Sequence, residues 1–135
     1  MLGKREPEMY GRLTLAEVNV AIRRLAGELR CRVSVEQRSG EGELIDSVHK
    51  AAARGSAIVI NPGAYAHYSI ALREALASVG VPKIEVHMTN VHAREPFRRR
   101  MVTAQAVHGT VVGFGMNSYL LAVRAAAALL DGTKV

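Results

Sequence analysis

Residues 57–63 read AIVINPG, and this stretch decides the fold class. The continuous apolar run 57–60 is typical of a strand that is covered on both faces, as the strands of parallel sheets are. Asn61-Pro62-Gly63 follows at once and is a turn signal that ends the strand. A helical pattern begins a few residues later, so the stretch predicts a strand, a turn and a helix in that order.

The same alternation continues on both sides of this stretch. Helices are predicted at about 15–29, 41–53, 69–78 and 118–130, a short basic helical turn at 94–100, and strands at 31–35, 57–60, 83–88 and 110–113. The pattern predicts an α/β, flavodoxin-like three-layer fold with a parallel sheet, in a single domain over residues 1–135. Such a sheet has one strand more than the four visible here, and the pattern opens with a loop and a helix. The first strand is therefore predicted to be missing.

The composition is that of a globular chain, since 49% of the 135 residues are apolar and 22% are charged. The longest apolar runs, near 120–130, contain Arg124 and fall short of the ~20 residues of a membrane span, so no membrane partner is expected. Residues 1–11 lack the apolar core of a secretory signal. Cys31 is the one cysteine, so no internal disulfide is possible and a cytoplasmic location is expected.

The formal net charge of +6 raises the question of nucleic-acid binding. Only 4% of the residues are aromatic, which leaves few platforms for base stacking, and the basic residues are scattered apart from Arg94 and 98–100. A small anionic substrate uses such arginines equally well, so no nucleic-acid partner is expected. The five histidines lack paired metal-ligand spacing, and Gly113 and Gly115 lack the third glycine of a dinucleotide fingerprint. We therefore expect no metal and no other cofactor.

Ligands of open α/β sheets bind beyond the carboxyl ends of the strands, and two of the predicted ends are rich in polar groups. Glu85 and His87 are two residues apart on a predicted strand, so they share a face and the carboxylate can orient the imidazole. The pair is either a general acid–base site or a strand-end histidine satisfied by its neighbour. At the other end, Asn61 and Ser69 form either a binding lip with a helix cap or an ordinary turn.

The leading segment carries a third candidate. Tyr10 follows Lys4 and Arg5, and nearby cations favour an ionised phenolate. The structural alternative is that Tyr10 packs on the first helix.

Five segments taken together resemble the type II 3-dehydroquinate dehydratases of the shikimate and quinate pathways. They are LGKREPEMYG (2–11), EGELIDSVHKA (41–51), IVINPGAYAHYSIALREAL (58–76), IEVHMTNVHAREPFR (84–98) and VVGFGMNSYLLAVRA (111–125). They cover most of the chain in the order and spacing of that family. The resemblance implies a flavodoxin-like fold, a homododecamer built from trimers, and no cofactor. It also implies dehydration of 3-dehydroquinate to 3-dehydroshikimate by anti elimination through an enolate.

The resemblance assigns roles by position. Tyr10 matches the tyrosinate that removes a C2 proton, and Arg5 matches the arginine that favours its ionised form. His87 matches the general acid that protonates the departing C1 hydroxyl, and Glu85 matches its orienting carboxylate. The implied binding set is Asn61 for the substrate and an enolate-stabilising water, Asn61 with the backbone amides of Met88 and Thr89 for the substrate carboxylate, His67 and Arg98 for the ring hydroxyls, and Arg94 as a supporting cation.

Three departures from the family pattern carry expectations. Glu74 stands where the family has an aspartate that reaches a neighbouring subunit's site, so an oligomer is expected. Gln37-Arg38-Ser39 stands where the family usually has QSN, so the family's role for that loop is not carried over to this chain. A strand and loop of the form ILVINGPNLN precedes the first matched segment in the family and is absent here. We therefore expect a cleft or a splayed sheet between 31–36 and 57–61, and a poor enzyme.

Three functional interpretations remain open at this point. The first is an active dehydratase. The second is a catalytically impaired relative or fragment that only binds small anions or assembles with partners. The third, ranked well below both, is a basic nucleic-acid-binding module, which strong retention on DNA at ~0.2 M salt would favour.

Overall fold

The structure of the chain is a computed structural model, and it describes residues 14–132. The α-helices are α1 (Leu15–Glu28), α2 (Glu41–Ala53), α3 (Ile70–Ser78) and α4 (Asn117–Leu130), and the strands are β1 (Ile58–Ile60), β2 (Lys83–His87) and β3 (Gly109–Val112). Four short 3₁₀ helices lie at Gly63–His67, Val91–Ala93, Pro96–Arg99 and Thr103–Ala106. In this part of the chain, no helix is both long and apolar enough to cross a membrane.

The three strands form one parallel sheet in the order β1-β2-β3. Ile60 is aligned with Glu85, and His87 with Val112, so the strands end at a common edge. The prediction of a fourth strand at 31–35 is wrong for the described residues. This segment is extended in its side-chain pattern, with 31, 33 and 35 half-buried and 32 and 34 exposed, but it forms no ladder.

The sheet is covered on both faces, as the continuous apolar run at 57–60 predicts. On one face Ile58 and Ile60 pack with Val48 of α2 and Leu72 of α3. The opposite face carries a second cluster, formed by Ile84 and Val86 of β2 with Ala122 and Ala126 of α4. Helix α1 packs on α4 and buries Val18, Ile22 and Leu25. The three-layer α/β architecture is confirmed.

Helices α1 and α2 end in the same kind of turn and deliver the chain into two neighbouring extended segments. After α1, Arg30 has φ +57°, and the Cys31 amide donates to the carbonyl of Ala26 at 2.8 Å. After α2, Gly55 has φ +73°, and the Ser56 amide donates to Ala51 at 3.0 Å. Both are Schellman turns, which satisfy the last carbonyls of a helix. They place 31–36 and β1 as two walls of one space.

That space is a cleft of about 910 Å³. Its walls are 31–38 on one side and 57–61 on the other, and apolar residues of α1, α2 and α4 form much of its lining, including Val18, Ile22, Val48, Val123 and Leu130. The predicted cleft between 31–36 and 57–61 is confirmed. Because no described strand pairs with β1 on this side, the backbone groups of that edge face the cleft.

Candidate active site

The centre of the candidate site is the pair formed by Glu85 and His87 on β2. Glu85 is fully buried and His87 is 5% exposed, and both point to the same face of the sheet, as the spacing predicts. His87 Nε2 lies 2.8 Å from Glu85 Oε2. A carboxylate oxygen accepts, so Nε2 carries the proton and Nδ1 is the other nitrogen. His87 therefore keeps one nitrogen for a ligand while the other is held.

Glu85 has a second partner, the buried hydroxyl of Thr103. Thr103 Oγ1 donates to Glu85 Oε1 at 2.5 Å. Both carboxylate oxygens consequently accept a hydrogen bond inside the protein, which is what a buried ionised carboxylate needs.

His67 lies beside His87. The two rings are stacked with centroids 6.2 Å apart. His67 Nδ1 is 2.9 Å from the carbonyl oxygen of Arg100. Since a carbonyl only accepts, Nδ1 donates and Nε2 of a neutral ring is available as an acceptor. His67 lines the same cleft as His87, and its Nε2 is suited to accept a hydrogen bond from a ligand hydroxyl.

Asn61 stands directly after β1, at the same edge of the sheet. Its Nδ2 donates to the hydroxyl of Tyr119 at 2.9 Å, and its Oδ1 accepts from the Gly63 amide at 3.1 Å. The turn and the first part of α4 thus hold the amide from both ends. Ser69 caps α3, because its Oγ accepts from the Leu72 amide at 3.0 Å, as predicted.

The segment after β2 completes the opposite lip of the cleft. Met88 and Thr89 line it directly after His87, and Arg94 is also in the lining. Arg94 Nη1 donates to Thr89 Oγ1 at 3.4 Å, a long contact. This lip brings one cation and two backbone positions close to the Glu85–His87 pair, and such groups recognise a carboxylate.

Arg98 is held by two neighbours on its own 3₁₀ turn. Its Nε donates to the Glu95 carboxylate, and its guanidinium lies 4.9 Å from the centre of the Phe97 ring. The hydrogen bond from Arg98 lowers the pKa of Glu95 below its ordinary value. The Phe97 ring also contacts His67, and the two rings lie edge to face with their centroids 6.0 Å apart. Arg98 and His67 are therefore linked through Phe97 at one end of the cleft.

Seven of the predicted residues line this one cleft: Asn61, His67, His87, Met88, Thr89, Arg94 and Arg98. Glu85 is buried behind His87. Glu74 is exposed on α3 and is not part of the lining, so within one chain it does not join the site. Tyr10 and Arg5 lie outside the described residues.

Sequence reasoning missed Thr103 and Tyr119 as contributors. A signal for Tyr119 existed, since the first turn of a helix that follows a parallel strand lies at the carboxyl edge of the sheet. Thr103 lies in a segment without helical or strand periodicity, and only the fold brings it to Glu85. Within residues 14–132, no group of three or more His, Cys, Asp or Glu side chains is arranged to hold a metal ion.

A buried carboxylate–imidazole pair beside amide and guanidinium groups, at the carboxyl edge of a parallel sheet, is the arrangement expected of an α/β enzyme that uses acid–base chemistry. The chain belongs to the class II dehydroquinase family, whose model matches residues 1–127. The chain is 50% identical over 129 residues to the 3-dehydroquinate dehydratase of Pelotomaculum thermopropionicum, covering 96% of this chain and 90% of that protein.

Two solved structures have the same fold. The type II dehydroquinase from Butyrivibrio crossotus superposes with a TM-score of 0.90 at 41% identity, covering 93% of this chain and 88% of that one. The type II dehydroquinase from Propionibacterium acnes gives a TM-score of 0.90 at 38% identity, covering 94% of this chain and 88% of that one. The flavodoxin-like fold and the family resemblance predicted from the sequence are confirmed.

Proposed function

We propose that this chain dehydrates 3-dehydroquinate to 3-dehydroshikimate, in the shikimate or quinate pathway, by anti elimination through an enolate. The observation that carries the proposal is the buried Glu85–His87 pair at 2.8 Å, whose imidazole lines the cleft beside Asn61 and His67. The relatives described above bear this activity in their names.

His87 acts as the general acid in this proposal. It protonates the C1 hydroxyl as the C1–O bond breaks, and that oxygen leaves as water. Glu85 accepts from Nε2 and so orients the ring and stabilises the protonated form before the transfer. The Nδ1 atom is the nitrogen that Glu85 does not hold, so it is the one assigned to the substrate.

The base is Tyr10, on the strength of the family resemblance. Its phenolate takes a proton from C2, the electron pair moves toward the C3 carbonyl to give the enolate, and collapse of the enolate forms the C1–C2 double bond as water leaves. Arg5 favours the ionised phenol by its charge. Both residues lie outside the described part of the chain, so this step is tested by substitution: Tyr10→Phe should lower kcat by ~10²-fold or more while substrate binding survives.

The remaining residues bind substrate in this proposal. Asn61 and the backbone amides of Met88 and Thr89 hold the substrate carboxylate, and Asn61 also positions a water at the enolate oxygen. His67 offers an acceptor and Arg98 a donor to the ring hydroxyls, and Arg94 adds a positive charge at the same lip. The cleft presents these groups from several elements of the fold around one space, which is the requirement for orienting a small polyhydroxylated anion.

The experiment is a direct assay. Purified chain is mixed with 3-dehydroquinate, and formation of the conjugated product is followed by its ultraviolet absorbance. We expect turnover that survives EDTA. Activity abolished by EDTA and restored by zinc would contradict the cofactor-free mechanism, and absence of product would contradict the function.

We propose further that the working unit is a homo-oligomer, specifically a dodecamer of trimers, in the cytoplasm. Glu74 supports the oligomer, because it is exposed on α3, outside its own cleft, where the family has a residue that serves a neighbouring site. Sedimentation should show a large assembly, and an active monomer would contradict the proposal. Cys31 is a free cysteine, which suits a reducing compartment.

The open cleft favours a second candidate function, a catalytically impaired relative that binds small anions. The apolar wall of the cleft continues directly into the polar lip, so residues 14–132 do not close the site on that side. Calorimetric titration with 3-dehydroquinate separates the two candidates. Binding without product formation would favour this second function.

A further inference from the structure

Thr103 is a buried nucleophile-type side chain that the proposed mechanism does not use. It has no solvent exposure, and it begins the 3₁₀ helix Thr103–Ala106. The preceding Val102 amide donates to the carbonyl of Ala66 at 2.8 Å, which ties this helix to the segment that carries His67. Thr103 is therefore placed by the same framework that places the site.

The hydroxyl of Thr103 makes a specific contact with the acid–base pair. It donates its one proton to Glu85 Oε1 at 2.5 Å, while His87 occupies Oε2 of the same carboxylate at 2.8 Å. The two hydrogen bonds use different oxygens, so together they fix the rotation of the carboxylate about its last bond. With only the His87 contact, the carboxylate plane would be free to turn about that bond.

The orientation of the Glu85 carboxylate determines the tautomer of His87. A carboxylate held in this orientation accepts from Nε2 and so keeps the proton of a neutral ring there, which leaves Nδ1 for the substrate. If Oε1 loses its donor, Glu85 retains a buried oxygen with no other described partner, which is energetically unfavourable. The carboxylate would then rotate toward another donor or become protonated. Either response disturbs the ring of His87.

We propose that Thr103 is a positioning residue for the dehydration, forming a Thr103–Glu85–His87 relay that fixes the orientation and tautomer of the general acid. The inference rests on the proposed function for its kinetic consequences, but the tautomer of His87 is independent of it. Thr103 acts through Glu85 and contacts neither substrate nor the reacting atoms.

The kinetic test compares Thr103→Val, which keeps the shape and removes the hydroxyl, with Thr103→Ser, which keeps the hydroxyl. Thr103→Val should lower kcat by ~10-fold or more with KM within about twofold, because a hydrogen bond to a charged buried group is lost in the step that uses it. Thr103→Ser should retain kcat within about threefold. Equal losses in both variants, or a loss in KM alone, would overturn the relay.

A double-mutant cycle locates the effect. In a Glu85→Gln background, adding Thr103→Val should change kcat by less than about twofold, since the partner through which Thr103 acts is already altered. Full additivity of the two losses would overturn the proposal. The matched control is Ser118→Ala, another buried hydroxyl, which accepts from the Phe114 amide at 3.0 Å away from this relay. It should lower stability without separating kcat from KM.

Nitrogen-15 NMR of the His87 ring separates failure of this inference from failure of the proposed function. The wild-type chain should show the Nε2–H form, and Thr103→Val should show a mixture of tautomers. If this result is obtained with a chain that does not turn over 3-dehydroquinate, the relay stands and the function is wrong. An unchanged Nε2–H signal in Thr103→Val would overturn the relay whatever the activity.

Discussion

The carboxyl end of β2 and the segment 31–36 are both extended stretches that follow a helix, and they differ in one respect. Strand β2 has a parallel partner on each side, and the polar side chains at its end are held by hydrogen bonds. Segment 31–36 has the alternating exposure of a strand but forms no ladder with any other segment of residues 14–132, and it faces a cleft. Side-chain direction is thus a local property of the sequence, whereas a strand exists only where a neighbour supplies its hydrogen bonds.

The same difference separates two parts of the candidate site, one at the end of a strand with two described partners and one at the end of a strand with one. Glu85, His87 and Thr103 are each at most 5% exposed and are joined by short contacts. On the other side of the cleft, Asn61 is exposed and follows β1, which has a described partner on one edge only. Catalysis requires the two sides of the cleft to be fixed relative to each other. We therefore expect the position of Asn61 relative to His87 to limit the turnover rate.

The largest effect should come from filling the cleft. Extending the chain at its N-terminus with a strand and loop of the form ILVINGPNLN should raise the free energy of unfolding by at least ~3 kcal/mol, because the added strand forms several backbone hydrogen bonds, each worth ~0.5–1.5 kcal/mol net. Turnover of 3-dehydroquinate should rise with it. Urea unfolding and steady-state kinetics of both chains measure the two effects.

The control for this experiment is the same extension with aspartate at its apolar strand positions, which cannot be buried between the helices without a large penalty. It should leave the unfolding midpoint unchanged. Equal stability and turnover of the extended and original chains would show that the cleft does not weaken the site.

The next largest effect tests His87, at the end of the strand that has two described partners. His87→Ala should lower kcat by at least ~10²-fold, the usual scale for a positioned acid. His49→Ala is the matched control, since His49 is exposed on α2 and does not line the cleft. A loss of similar size in both variants would remove His87 from the acid role.

A smaller effect tests the hydrogen bond that positions Asn61. Tyr119→Phe removes the hydroxyl that accepts from Asn61 Nδ2 at 2.9 Å. One hydrogen bond of ~1 kcal/mol corresponds to a loss of about fivefold in kcat/KM. Tyr68→Phe is the control, because Tyr68 is 61% exposed. Unchanged kcat/KM in Tyr119→Phe would show that Asn61 is positioned by the turn alone.

The predictability of this molecule from sequence follows the same division. Within residues 14–132, apolar patterns located the four long helices and the three strands, and spacing placed Glu85 and His87 on one face. The pattern at 31–35 predicted side-chain alternation correctly but a strand wrongly, because pairing depends on a partner distant in sequence. The role of Thr103 could not be predicted from the sequence for a related reason: its contact with Glu85 joins residues 18 positions apart and leaves no periodic signal.

The smallest effect concerns what anchors the unpaired wall itself. Glu36, at the end of that wall, accepts a hydrogen bond from Ser47 of α2 at 2.7 Å and lies 3.6 Å from Arg38. The Ser47 hydroxyl, with smaller contributions from Arg38 and other cations, lowers the pKa of Glu36 below its ordinary value of 4.5. A carboxyl whose pKa is lowered by folding stabilises the fold fully above its unfolded pKa, and this contribution is lost as pH falls through the folded pKa.

Ser47→Ala should therefore destabilise the chain at pH 7, and the difference should shrink once the pH is taken below the folded pKa of Glu36. The Glu36 side chain is 32% exposed, so solvent screening limits the effect to less than ~1 kcal/mol. Urea unfolding of both chains at pH 7, 5 and 3 measures it. Ser78→Ala is the control, because its hydroxyl donates to a backbone carbonyl at 2.7 Å and its contribution should not vary with the protonation of Glu36. A Ser47→Ala difference that stays constant down to pH 3 would mean that Ser47 supports the wall through packing alone, and that the carboxylate of Glu36 does not hold 31–36 against α2.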